Sequence, residues 1–368
     1  MMDMKKTILL NLDNRISAFG IDISDFSIKI AKLKKRKKGF ELESYNRSSI
    51  PKGIIEEGEI KDKKKLSDIV EKTVNTAKGK SIHSPYVVSS LPEQHGFVKI
   101  IRLPKMNLKE AKEAIKWEAE ANIPHSLEDV YLTWKILPID KKENHVDVLI
   151  NAVPKEIVDS YLDVLSLAGL EPVVFEIESV ATARSLMEDG YAKKPVLIID
   201  LGASRTSFII FSGREIRFTS SIPVSNYQMI NDIAEKLDVD YEKAKELKFS
   251  IGLDKTKESG RVFNVLSLSM NALVDKIKDC IAFHKNHNYQ DDCDDIYKVI
   301  LCGGGAYLKG ASDYLSQRLN VSVELGNPWV NVLKSKGKPP IIPYKDSLAY
   351  STVLGLALRG ADPDLDYL

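Results

Sequence analysis

The chain has 368 residues, 43% hydrophobic and 29% charged, with a formal net charge of +1 at pH 7. That length exceeds what one hydrophobic core usually organises, so two or more subdomains are expected, and the charge balance gives no general argument for nucleic acid or a highly acidic ligand. Residues 1–17 hold only a short apolar patch, unlike a signal-peptide core, and no run approaches the roughly 20 apolar residues of a membrane-spanning helix.

FGIDISDFSIKIAKL (19–33) reads as a strand, a turn and a second strand, with Asp22 where the first strand should be most apolar. The basic run KLKKRKK (32–38) reads as a solvated hairpin tip. Its sharper alternative is contact with anionic lipid headgroups, at about 1 kcal/mol per basic residue. The run has no interleaved aromatics, which disfavours a nucleic-acid groove. FELESY continues as a strand. KLSDIVEKTVNTAKG (65–79) has amphipathic spacing and is expected to be a helix stopped by Gly79. YVVSSLP (86–92) is a strand closed by proline. NLKEAKEAIKWEAEAN (107–122) is a helix with Asn107 at its cap, Glu110 three residues on, and Leu108, Ala111, Ile115 and Ala119 on one face. Strands at 130–137 and 146–153 follow, then a helix at 154–168 entered by Pro154 and stopped by Gly169. Residues 97–168 therefore read as a compact piece inserted ahead of the strand PVVFEIE (172–178).

LIIDLGASRTSFIIF (197–211) repeats the plan of 19–33, and Asp200 takes the place of Asp22. A fold with two related halves would explain this weak internal repeat. Residues 226–262 are more polar and mostly helical, and helices continue to about 289. Cys280, His284, His287 and Cys293 lie in that region, but C-x3-H-x2-H-x5-C matches no common structural zinc spacing. One helix carrying scattered polar residues is the expectation, and three cysteines in all suit a reducing compartment. IYKVILCGGGAYLKGASDYLSQRLN (296–320) is a strand, a glycine turn and a helix. KSKGKPPIIP (334–343) is a loop, and SLAYSTVLGLALRG (347–360) a closing helix.

Three of these turns can carry chemistry: 22–27, 200–207 and 302–310. Turns of small residues expose backbone N–H groups that bind phosphate. Gly303-Gly304-Gly305 is read as directly preceding a helix, whose N-terminal end favours anions. A phosphate-bound Mg²⁺ is held by one or two carboxylates, often through water, which gives Asp22 and Asp200 a shared purpose across a cleft. No P-loop, G-x-S-x-G or H-E-x-x-H pattern occurs.

In this order the turns resemble the phosphate 1, phosphate 2 and adenosine segments of the actin and heat-shock-chaperone ATPase superfamily. The closer resemblance is to FtsA and, above all, to the PilM family, cytoplasmic actin-like proteins of type IV pilus assembly. It rests on MNLKEAKEAIKWEAEANIPHSLEDVYLTWKIL (106–137), INAVPKEIVDSYLDVLSLAGLEPVVFEIES (150–179), YEKAKELK (241–248), ILCGGGAYLKG (300–310), LGNPW (325–329) and LGLALRG (354–360).

The resemblance implies an α/β actin-like ATPase fold, two RNase H-like halves around a nucleotide cleft, with an inserted SHS2-like 1C subdomain. Its implied division is 1A at 1–96, 169–194 and 344–368, 1C at 97–168, 2A at 195–225 and 263–343, and 2B at 226–262. It implies ATP and Mg²⁺ as cofactors, with Asp22 and Asp200 at the metal. Asp22, Ser24 and Lys29 match phosphate 1, and Asp200, Gly202, Ala203 and Ser204 match phosphate 2. Glu242, Lys245 and Glu246 match the helix that touches ribose and adenine, and Gly303, Gly304, Gly305 and Ala306 the adenosine segment. Glu178 aligns with the carboxylate that positions water in the chaperone ATPases; a helix cap is its plainer role.

Two departures bear on turnover. Ser24 stands where the family usually has glycine, and Ser225-Asn226 replaces its glycine pair, so the resemblance implies binding with at most slow hydrolysis. The implied partner is the N-terminal cytoplasmic peptide of a PilN-like inner-membrane protein, docked around residues 86–105 and 130–175. The implied location is the cytoplasmic face of that membrane, and the resemblance leaves room for a homo-oligomer. The alternatives are an FtsA-like division protein on membrane, which the short acidic tail ADPDLDYL disfavours, and a small-molecule kinase of the superfamily.

Overall fold

The computed structural model describes residues 17–37, 39–106, 108–137, 144–286, 295–333 and 342–362. Asn107, Lys38, His287, Cys293, the end of the acidic tail and most of the 334–343 segment lie outside them. The described residues fall into two compact units. The first runs to Ala181 and takes in Arg217–Thr219 and the chain from Thr352; the second comprises Thr182–Ile216 and Ser220–Ser351.

In chain order the first unit opens with β1 (Phe19–Ser24), β2 (Ser27–Lys35), β3 (Phe40–Ser49), the short pair β4 (Ile55–Glu56) and β5 (Glu59–Ile60), α1 (Lys63–Asn75), β6 (Lys78–Gly79) and β7 (Tyr86–Leu91). Then come β8 (Phe97–Pro104), α2 (Leu108–Asn122), β9 (Val130–Ile136), β10 (His145–Pro154), α3 (Lys155–Leu167) and β11 (Glu171–Ile177). Six strands form one sheet in the order β11-β7-β1-β2-β3-β6. β1 runs antiparallel to β2 and parallel to β7. Phe19, Ile21 and Ile23 alternate with Gly20, Asp22 and Ser24, yet every position from Phe19 to Ile23 is buried, as in a central strand covered on both faces.

β8, β10 and β9 form a separate antiparallel sheet of three strands. Its core of Ile101, Leu103, Ile115, Ala119, Val148 and Ile150 comes from the strands and the apolar face of α2. α3 packs instead against α1 and β11 of the larger sheet, and Tyr161 on it is fully buried. Helix α1 ends at Asn75 with Thr76 as its cap, not at Gly79 as expected. Gly79 lies in β6 with a φ of +92°, where a Cβ would stand 2.2 Å from the Glu43 carbonyl oxygen. It is a strand glycine that permits close backbone approach.

α4 (Glu178–Leu186) leads into β12 (Ala192–Leu201), β13 (Thr206–Gly213), β14 (Glu215–Ile222), α5 (Asn226–Leu237), α6 (Tyr241–Ser250), α7 (Arg261–Asn286), β15 (Lys298–Cys302), α8 (Ala311–Leu319), β16 (Ser322–Leu325) and α9 (Tyr344–Ser347). Five strands form a sheet in the order β14-β13-β12-β15-β16, with β12, β15 and β16 parallel. Val196–Ile199 and Phe208–Phe211 are its buried centre. α10 (Ser351–Ala361) closes the described chain, buried along nearly its whole length.

Candidate functional site

In the first unit the register pairs Asp22 with Lys29 across the β1–β2 hairpin. Both are buried, and Lys29 Nζ donates to Asp22 Oδ2 at 2.8 Å. Ser90 on β7 donates its hydroxyl to the other oxygen, Asp22 Oδ1, at 3.0 Å. The two donors replace hydrogen bonds that the buried carboxylate would otherwise make to water. Ser24 does not project from the turn. Its Oγ donates to the Ser27 carbonyl at 3.1 Å, so the side chain that replaces the family's glycine is folded onto its own hairpin.

Around this hairpin lies a second set of acids. Asp25 is buried and accepts the Gly58 N–H at 2.9 Å, and the Tyr161 hydroxyl donates to the Gly58 carbonyl at 3.2 Å. Burial pushes the Tyr161 phenol well above its ordinary range, and the charges of Glu178, Asp25 and Asp22 push it further. Glu178 opens α4, while the capping role falls to Glu93: its Oε2 accepts the Ser179 N–H at 3.2 Å. Glu178 in turn accepts the Glu93 N–H at 3.4 Å. Burial raises the Glu93 carboxyl above the usual carboxylate range. Glu93, Ser90 and Tyr161 were not identified from the sequence.

In the second unit β12 places Asp200 beside Cys302 of β15 and opposite Ser207 of β13. Burial raises the Cys302 thiol far above its ordinary value, and the neighbouring Asp200 carboxylate adds to the shift. Gly303 follows with a φ of +82°, and a Cβ there would stand 2.1 Å from Asp200 Oδ1. Only glycine lets the backbone turn against that carboxylate. The Gly305 N–H donates to Leu201 O at 2.8 Å, tying the glycine turn to the end of β12. Ala306 is buried, and its N–H donates to Gly303 O at 3.2 Å. A Cβ at Gly304 would meet the Ala349 side chain at 3.9 Å, an ordinary van der Waals contact. The expectation that the three glycines directly precede a helix is corrected: α8 starts at Ala311, after a turn through Tyr307–Gly310. Phosphate recognition here would use turn N–H groups rather than the end of that helix.

The 200–207 turn is fastened to α5. Gly202 O and Ala203 O accept the N–H groups of Asn226 and Tyr227, each at 3.1 Å, and Ser204 is half-buried at the tip. Ser225 is the N-cap of α5, its Oγ accepting the Gln228 N–H at 3.1 Å. Asn226 accepts a hydrogen bond from Lys248 Nζ of α6. The two side chains that replace the family's glycine pair therefore cap a helix and hold a lysine. Lys248 is fully buried, and desolvation lowers its ammonium to about 7. Sequence reasoning passed over it. Glu242, Lys245 and Glu246, which it named instead, are exposed on α6, with Lys245 3.4 Å from Glu242 and Glu246 2.9 Å from Lys243.

Among the described residues no group of three or more His, Cys, Asp or Glu side chains is placed to hold a metal ion. Cys280 and His284 are buried on α7. Both oxygens of Asp22 have protein donors, so that residue suits a hydrated Mg²⁺ held through water better than direct ligation.

The family model for the type IV pilus assembly protein PilM matches residues 20–361. The chain belongs to the PilM family. A solved PilM–PilN type IV pilus biogenesis complex contains a chain 25% identical to this one, with a TM-score of 0.78 over 95% of this chain and 100% of that one. The cell division protein FtsA of Pseudomonas aeruginosa is 26% identical over 215 residues, 54% of this chain and 50% of the relative. The chain thus spans about half the length of that curated relative. MreB5 of Spiroplasma citri bound to AMPPNP is 16% identical with a TM-score of 0.53 over 93% of this chain and 96% of that one. Such a likeness carries the fold alone, and the PilM-family chain has that actin-like fold.

Proposed function

We propose that this PilM-family chain is a nucleotide-binding scaffold of a type IV pilus or related assembly machine. It is recruited to the cytoplasmic face of the inner membrane by the N-terminal peptide of a PilN-like protein. The observation that carries this reading is the family match over residues 20–361, joined by likeness to the PilM–PilN complex over the full length of its chain. No described helix is long and apolar enough to cross a membrane, so recruitment through a membrane-anchored partner fits.

The ligand is Mg-ATP. The turn N–H groups of Ala203, Ser204 and Gly304 suit its phosphates. Asp22, Ser24 and Lys29 of the other hairpin serve phosphate and metal. Glu242, Lys245 and Glu246 are the polar groups on α6 for ribose and adenine. Asp200 and Asp22 would hold Mg²⁺ through its waters, and the ion would neutralise phosphate charge. Glu178, if turnover occurs, orients the attacking water.

The partner reading is tested with a synthetic peptide of the N-terminal tail of a PilN-like protein from the same organism. Saturable binding to the intact chain, lost when the peptide sequence is scrambled, is expected. Absence of binding at millimolar peptide would refute it.

A further inference from the structure

We propose that the edge of the first unit formed by β2, β3 and β6 docks on the anionic phospholipid headgroups of a membrane, apart from the nucleotide turns and the PilN-like peptide. Lipid as the occupant rests on the proposed location at the cytoplasmic face of the inner membrane; the placement of charge carries the rest. The chain itself brings five cations to the end of β2 and its turn, within residues 32–37. The fold adds two more. β6 pairs with β3 through Gly79 opposite Ser44 and Lys78 opposite Tyr45, and Ser44 also stands opposite Lys32 of β2. Lys34 and Lys80 then converge on one carboxylate oxygen, Glu43 Oε1, at 3.9 and 3.0 Å. Two segments far apart in the chain thus make a single basic patch.

The patch is not neutralised by its own acids. Arg36 Nε donates to Glu41 Oε2 at 2.7 Å, Lys35 lies 2.5 Å from Asp362, and Glu43 serves two lysines at once. Lys32, Lys37 and Lys78 have no carboxylate partner among the described residues. Seven cations therefore share three carboxylates, on a chain whose formal net charge is only +1, so the remainder of the chain is net negative. An anionic surface attracts this edge and repels the rest, which sets an orientation as well as an affinity. The side chains of Lys34, Lys35, Arg36 and Lys80 are between 45% and 67% exposed. Pairs that exposed contribute little, so headgroup phosphates can exchange with them.

Nucleic acid is the other polyanion to weigh. Single strands are held by aromatic rings on which bases stack. The rings at this edge, Phe40 and Tyr45, are half-buried, and Lys78 Nζ lies over Tyr45 at 5.9 Å from its centroid. A headgroup layer needs no stacking platform. Each cation brought to an anionic surface raises partitioning about fivefold, and salt screens that attraction.

The test is co-sedimentation of the intact chain with lipid vesicles in the absence of any PilN-like protein, so its outcome is independent of the peptide experiment. Vesicles of equal parts phosphatidylglycerol and phosphatidylcholine are expected to pellet the chain at low salt and to release it at high salt, while pure phosphatidylcholine leaves it in solution. Lys37→Glu with Lys78→Glu, both at exposed positions, is expected to weaken binding at least tenfold. Lys257→Glu with Lys278→Glu, equally exposed but on the second unit, makes the same change in net charge and is expected to leave binding intact. The proposal fails if phosphatidylglycerol vesicles do not pellet the chain, if pure phosphatidylcholine pellets it equally, or if the two double variants bind alike. It also fails if millimolar glycerol phosphate releases the chain, since the patch then serves a soluble phosphate. Displacement from the vesicles by a DNA duplex at equal phosphate concentration, lost in Lys37→Glu with Lys78→Glu, would likewise overturn it in favour of nucleic acid.

Discussion

Lys248 is the residue whose chemistry departs furthest from its sequence surroundings. Within YEKAKELKFS every neighbouring charge faces water, yet the fold buries this lysine and lowers it to about 7. In the unfolded chain it titrates near 10.5, so between about pH 7 and 10 the unfolded state binds the extra proton. Stability from this group therefore rises with pH across that window, and its penalty is full below about 7. Thermal unfolding of the wild type should show that slope, and Lys248→Met should flatten it; equal slopes would contradict the assignment. Nothing in the spacing of α6 announces the burial, because a lysine two and three residues from Glu246 and Lys245 reads as a solvated face. Asp22 and Asp200 were legible for the opposite reason. A carboxylate interrupting a run of branched apolar residues breaks the strand pattern within a few residues.

At the scale of elements, the start of α4 shows how distant segments settle what local patterning leaves open. The helix leaves backbone N–H groups unpaired at its first turn, and the acceptor for Ser179 comes from Glu93, 86 positions earlier in the chain. Burial raises the Glu93 carboxyl. The native state thus favours the protonated form, and stability present below about pH 4.5 is lost as pH climbs through the raised value. Glu93→Gln keeps an acceptor for Ser179 without the charge. It should match the wild type near pH 4.5 and unfold at a temperature a few degrees higher at pH 7, which calorimetry would register. A lower melting temperature at pH 7 would show that the ionised form is wanted. The element pattern of strands and helices was largely readable from periodicity and caps. The end of α1 was not: Gly79 looked like a helix stop, but its role is set by the Glu43 backbone of another strand. The Gly303–Gly305 turn was likewise visible as a turn, while its separation from α8 depends on tertiary placement of Tyr307–Gly310.

For the whole molecule, two like-patterned hairpins in separate sheets account for the internal repeat, with Asp22 pairing opposite Lys29 in one and Asp200 opposite Ser207 in the other. The three-stranded sheet of β8, β10 and β9 carries its own apolar core, the arrangement expected of an inserted module. Parallel neighbours such as β1 and β7 are non-local, and no run of residues specifies them by itself; the resemblance supplied that part of the architecture. The proposed Mg-ATP binding places Asp200 and the glycine turn of the second unit at the nucleotide. Titration calorimetry of the intact chain with Mg-ATP tests it most directly. Saturable binding is predicted, with a melting-temperature rise that grows with ligand concentration. Asp200→Asn and Gly303→Ala should each weaken binding at least tenfold, the alanine because its Cβ would meet Asp200 Oδ1 at 2.1 Å. No heat and no thermal shift at millimolar Mg-ATP, or unchanged affinity in both folded variants, would contradict the account.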